Sequence, residues 1–131
     1  MKLLIVDDEP EILNMLRRNL ELEGYTVTMT TSPYDALEMM KKELFNLVIT
    51  DVKMPGMTGV GLLQEIKRIN PLANVIIMTG YSTMSNVVEC LGSGAVDYFV
   101  KPFKDLDVVI TALEQARGRV ERWREAMGVK Q

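Results

Sequence analysis

Four short apolar runs in this chain each end on a residue suited to handling a phosphoryl group. Leu3-Leu4-Ile5-Val6 runs into Asp7 and Asp8, and Leu47-Val48-Ile49-Thr50 runs into Asp51. Val75-Ile76-Ile77-Met78 ends on Thr79, and Tyr98-Phe99-Val100 ends on Lys101. As parallel strands of one sheet, all four would open into the crevice beyond their carboxyl ends, where open α/β sheets bind ligands. Carboxylates crowded there repel, and one would take up a proton unless a cation neutralised them. Such oxygen ligands favour Mg²⁺, Mn²⁺ or Ca²⁺, and Mg²⁺ is the expected ion, with Mn²⁺ possible. The Thr79 hydroxyl and the Lys101 ammonium could each hold one phosphoryl oxygen while a metal holds a third. Gly80 leaves room for that group to approach the backbone. Taken singly, each residue has a plainer explanation: a helix cap, a turn or a lysine reaching to solvent. Their joint placement at strand ends points to a site.

The apolar runs alternate with segments of helical period, the pattern of repeated βα units around a parallel sheet. Glu9-Pro10-Glu11 reads as a first helical turn, followed by Leu13, Leu16 and Leu20 on one face. A second strand is expected over residues 25–29 and a helix over 33–42, buried through Ala36, Leu37 and Met40. The third strand, 47–51, is apolar on both faces, as a strand covered on both sides should be. Residues 53–59 read as a loop around Pro55-Gly56, and a helix over 60–69 presents Leu62, Leu63 and Ile66. A weak helix follows over 83–91, and a last one starts near Asp105 as N-cap. Right-handed crossovers then give a doubly wound (βα)5 three-layer sandwich. Spacing alone leaves the strand order open.

The chain has 131 residues, 47% hydrophobic and 25% charged, which suits one globular domain with a proper core. Its net charge of -3 argues against a dedicated nucleic-acid surface. No apolar stretch approaches the ~20 residues of a membrane span, and the amino terminus does not read as a secretory signal. A cytoplasmic protein is expected. Cys90 is alone, which excludes an internal disulfide and a thiolate cluster. Histidine is absent, which removes Ser-His-Asp and Cys-His arrangements and most zinc or iron sites. Any phosphohistidine must come from another protein.

The chain resembles the receiver domain of two-component response regulators, and in particular the receivers of NtrC-type regulators. The matching features are Asp7-Asp8, the stretch Asp51-Val52-Lys53-Met54-Pro55-Gly56-Met57-Thr58-Gly59, Thr79-Gly80, and Asp97-Tyr98-Phe99-Val100-Lys101-Pro102-Phe103. The resemblance implies a flavodoxin-like three-layer sandwich with a parallel five-stranded sheet of order 2-1-3-4-5. It implies Asp51 as phosphoacceptor for the phosphohistidine of a sensor histidine kinase or phosphotransfer protein. Asp8, Asp51 and the Lys53 backbone carbonyl would ligate Mg²⁺, with Asp7 acting through water. Lys101 would pair with a phosphoryl oxygen, and Lys101-Pro102 would be a cis peptide. Thr79 would move toward the phosphoryl group while Tyr98 swings inward, reshaping the surface of the fourth helix, fifth strand and last helix. Lys53 and Tyr81 match positions that tune phosphoryl lifetime, which implies a fairly long-lived aspartyl phosphate. The resemblance thus implies a switch that assists its own phosphorylation and dephosphorylation, not a turnover enzyme.

The last helix carries a heptad-like seam through Val109, Leu113, Ala116, Val120, Trp123 and Met127. It is expected to extend beyond a receiver of residues 1–120, with 121–131 as linker or dimerisation helix pairing through Val120, Trp123 and Met127. Gly118 weakens it locally. A homodimer is expected through this helix or through the fourth helix, fifth strand and last helix, without nucleic-acid or membrane contact by this chain. The expected setting is transcription regulation, with the chain as the amino-terminal part of a longer regulator. The alternatives are a stand-alone receiver or a docking and dimerising module that is never phosphorylated. A haloacid-dehalogenase-like phosphohydrolase needs an acid two residues after the nucleophile, where this chain has Lys53. A flavodoxin-like cofactor binder needs a phosphate-cradling loop rich in glycine, serine or threonine after the first strand, where Asp8-Glu9-Pro10-Glu11 would repel phosphate without a metal.

Overall fold

The computed structural model describes residues 1–54, 56–80, 84–101 and 105–128, with Lys53 described by its backbone alone. Five parallel strands form the central sheet: β1 Lys2–Val6, β2 Thr26–Thr30, β3 Leu47–Thr50, β4 Asn74–Thr79 and β5 Ala95–Val100. They lie in the order β2-β1-β3-β4-β5. The helices are α1 Pro10–Leu22, α2 Pro33–Lys42, α3 Gly59–Ile69, α4 Met84–Gly92 and α5 Asp107–Ala126. The sandwich and the strand order are those expected.

Alternation along the strands divides the core between two faces. Leu3, Ile5, Leu47, Ile49, Ile76 and Met78 meet Leu13, Leu16 and Leu20 of α1 and Val109, Leu113 and Ala116 of α5. On the other face Leu4, Val6, Val48, Val75 and Ile77 meet Ala36 and Met40 of α2, Leu62, Leu63 and Ile66 of α3, and the thiol of Cys90 in α4. All four residues of β3 are buried, as its unbroken apolar run requires.

Register then sets the site. Val6 pairs with Thr50, so Asp7 and Asp51 leave neighbouring strands side by side. Thr79 pairs with Val100, and Lys101 N donates to Thr79 O at 2.9 Å.

Several local expectations need correction. β2 begins at Thr26, one residue later than expected, because Tyr25 (4% exposed) turns into the core and donates its hydroxyl to Glu114 at 2.8 Å. The segment read as a loop contains a small antiparallel hairpin, Lys53–Met54 with Met57–Thr58. The cap of α5 is Leu106, without a side-chain cap bond; Asp105 Oδ1 instead accepts from Asp107 N at 2.9 Å. α5 runs unbroken through Gly118.

The seam of α5 also divides differently. Val120 is only 2% exposed and belongs to the domain's own core, so it is not available to a pairing helix. Trp123 and Met127 are exposed, and with Leu44 and Leu72 they line a groove of about 210 Å³.

The amino ends of the strands are joined by directed hydrogen bonds. Asn70 Nδ2 donates to Phe45 O at 3.0 Å and to Asn46 Oδ1 at 2.9 Å. Arg119 Nε donates to Asn74 Oδ1 at 3.1 Å, and Asn74 Nδ2 donates to Leu72 O at 3.2 Å. Among the described residues, no helix is long and apolar enough to cross a membrane.

Candidate functional site

Backbone ladders deliver the acids. Asp7 N donates to Thr30 O at 3.2 Å and Asp51 N to Val6 O at 3.0 Å, extending both ladders to the first loop residue. Asp7 and Asp51 are therefore buried, at 0% and 4% exposure, while Asp8 and Glu9 are exposed at the rim. Asp7 Oδ1 accepts from Glu9 N at 2.9 Å, turning the chain into α1.

One carboxylate oxygen from each of Asp7, Asp8, Glu9 and Asp51 lies within 4.8 Å of the others. Lys101 reaches into this group. Its Nζ lies 2.6 Å from Asp7 Oδ2, 3.0 Å from Asp51 Oδ2 and 3.0 Å from Glu9 Oε1. The Asp7 contact is close but not aligned as a hydrogen bond, so that buried oxygen keeps unspent acceptor capacity. Burial pushes the Asp7 carboxyl above its ordinary pKa, against the opposing pull of Lys101 and the Glu9 amide. Burial also works against the Lys101 charge, but Asp7, Glu9 and Asp51 outweigh it and hold the ammonium above the usual lysine value. Hard oxygen donors, a buried acceptor without an aligned donor and crowded negative charge fit a divalent cation.

Thr79 is buried at the end of β4, and open space lies beside Gly80, where an added Cβ would meet nothing within 4 Å. Tyr98 is half-buried on β5 and packs against the core face covered by α2, α3 and α4. Asp7 and Asp51 thus meet Lys101 directly, and Asp8 joins them through the nearness of its carboxylate. The Lys53 backbone lies in the hairpin after Asp51, paired with Thr58. The Lys53 side chain, Tyr81 and Pro102, with the Lys101-Pro102 peptide, lie outside the described residues.

Sequence reasoning missed three contributors. Glu9 reads from the sequence as a helix start and a phosphate-repelling acid rather than as a site residue, although its place directly after Asp7-Asp8 marks it. Gly59 seats the loop: an added Cβ would stand 2.1 Å from Val52 Cα, so only glycine permits this approach beside Asp51. Tyr34 donates its hydroxyl to Gly56 O at 2.6 Å across 22 residues of sequence, and no local pattern signals that bond.

Residues 3–114 match the family model of the response regulator receiver domain. The transcriptional regulatory protein ZraR of Escherichia coli K12 is 41% identical over 114 residues, covering 87% of this chain and 26% of ZraR. This chain therefore spans about a quarter of that relative's length. The beryllofluoride-activated NtrC4 receiver domain dimer superposes with a TM-score of 0.83 at 30% identity, covering 88% of this chain and 94% of that one. A response regulator of Burkholderia pseudomallei, solved with a phosphorylated aspartic acid, calcium ion and citrate, gives a TM-score of 0.80 at 26% identity. That match covers 97% of this chain and 74% of the other. With the acids and the lysine at the strand ends, these matches show that the chain belongs to the response regulator receiver domain family of two-component signalling.

Proposed function

We propose that this receiver is a phosphoacceptor switch in which Asp51 takes a phosphoryl group from the phosphohistidine of a sensor histidine kinase or phosphotransfer protein. The observation that carries this reading is the Lys101 ammonium, 3.0 Å from Asp51 Oδ2 inside a group of four acids. An Asp51 carboxylate oxygen attacks phosphorus, a P–O bond forms and the P–N bond breaks. The leaving imidazole nitrogen keeps the bonding pair and takes up a proton from solvent. Asp8, Asp51 and the Lys53 carbonyl would hold Mg²⁺ (or Mn²⁺), with Asp7 acting through water. When bound, the ion supplies positive charge against the acids and a hold on one phosphoryl oxygen.

Lys101 then exchanges part of its carboxylate contact for a second phosphoryl oxygen, and Thr79 takes the third. Tyr98 follows Thr79 inward. The surface this would reshape is apolar for a domain exterior: Met84, Val88 and Leu91 of α4, Val96 and Val100 of β5, and Val108 of α5 are all exposed. A homodimer through that surface, or through Trp123 and Met127, belongs to this reading, as do a cytoplasmic setting and control of transcription. The named NtrC4 dimer and the phosphorylated Burkholderia regulator support it. The domain works as a switch rather than a turnover enzyme.

The test is intact-mass measurement after incubation with a small phosphoryl donor, with and without Mg²⁺. The expected result is a gain of one phosphate that needs the metal and disappears in Asp51→Asn. No adduct under any condition would overturn the reading and favour a docking module.

A further inference from the structure

The segment after Asp51 is tied at two points of different kind. At its base, Gly59 N donates to Val52 O at 2.8 Å, and the missing side chain of Gly59 lets the two backbones touch. At its tip, Gly56 holds a φ of +89°, the left-handed region that favours glycine. There the Tyr34 hydroxyl donates to the Gly56 carbonyl at 2.6 Å, with the ring 3.1 Å from where a Cβ on Gly56 would stand.

Tyr34 is placed by α2, not by the loop it holds. It follows Pro33 in the first helical turn, and the Ser32 side chain caps that turn by accepting from Asp35 N at 3.3 Å. The helix enters the core through Pro33, Ala36 and Met40, while Tyr34 stays 53% exposed. The helix thus fixes the Tyr34 backbone, and the hydrogen bond to Gly56 fixes the direction of its exposed side chain. Between the two ties lies the hairpin, where Lys53 pairs with Thr58 and Met54 with Met57.

We infer that Tyr34 is a positioning residue for the metal site. Its hydroxyl holds the hairpin tip, and through the hairpin it sets the direction of the Lys53 carbonyl. This rests on the reading of that carbonyl as a Mg²⁺ ligand. A ligand carried on a two-residue strand has little support of its own, and outer partners that orient a ligand govern metal affinity. Tyr34 thereby couples the start of α2 to the site without touching any reacting group.

The experiment compares the wild type with Tyr34→Phe, which keeps the ring and removes the hydroxyl. Mg²⁺ binding is titrated calorimetrically on unphosphorylated protein, and thermal unfolding is followed without metal. The expected result is equal metal-free melting with Mg²⁺ affinity about fivefold weaker in the variant, the scale of one hydrogen bond. Unchanged affinity in Tyr34→Phe overturns the inference, and so does a fall in affinity matched by a fall in metal-free melting. Failure of the wild type itself to bind Mg²⁺ would overturn the metal reading and this inference together. The two failures are thus distinguishable.

Discussion

The two ends of the sheet use polar residues in opposite ways. At the amino ends, Asn70, Asn74 and Arg119 sit in directed bonds that fit one arrangement only. At the carboxyl ends, one ammonium is shared among three acids, and a buried Asp7 oxygen has no aligned donor. Directed bonds hold a geometry, whereas a shared charge can be redistributed at little cost. One end of this domain is built to stay and the other to be rearranged, with a hard seat under the latter at Gly59.

The largest expected effect removes that seat. Gly59→Ala drives a methyl into Val52 backbone and should cost about 3 kcal/mol in urea unfolding. A cost near zero would show the seat to be soft. Next comes the opposite end: Asn74→Ala frees Arg119 and the Leu72 carbonyl and should cost about 2 kcal/mol.

Asp7→Asn should act in the opposite direction. Burial raises the Asp7 pKa on folding, so at neutral pH its carboxylate opposes the fold, and acidification toward the raised value relieves that cost. The asparagine variant should melt roughly 3 °C higher without metal. It should also lose any Mg²⁺-dependent rise. A lower metal-free melting point would mean that the Lys101 pair outweighs the burial cost.

The smallest effect is alkaline. Lys101 keeps its proton more tightly in the fold, so its contribution is whole below its ordinary 10.5 and fades as pH rises toward the folded value. Tyr25 behaves alike from its ordinary 10.0, through burial and its bond to Glu114. Tyr25→Phe should cost about 1 kcal/mol at pH 7 and flatten part of that alkaline decline, read by urea titration across pH 9–11.

Much of this was legible along the chain because it depends on local period and order. Leu13, Leu16 and Leu20 announced the buried face of α1, and the strand-end residues announced the crevice. What stayed hidden depends on closure in space. The hairpin at Lys53–Met54 exists because Gly59 returns to Val52, and two residues of strand carry no pattern. The α5 seam read as surplus because the amino ends of the strands, which bury Val120, are distant in sequence. Glu9 looked like helix chemistry because its lysine partner lies 92 residues away.

Cys90 gives the fold a practical property. It is fully buried under α4 against the sheet, beside Glu89, and burial raises its thiol pKa. In the closed domain it should resist alkylating reagents, because the reactive thiolate is both scarce and covered. Its rate of labelling would therefore count the openings of that helix, a clock already installed as the chain's single sulfhydryl.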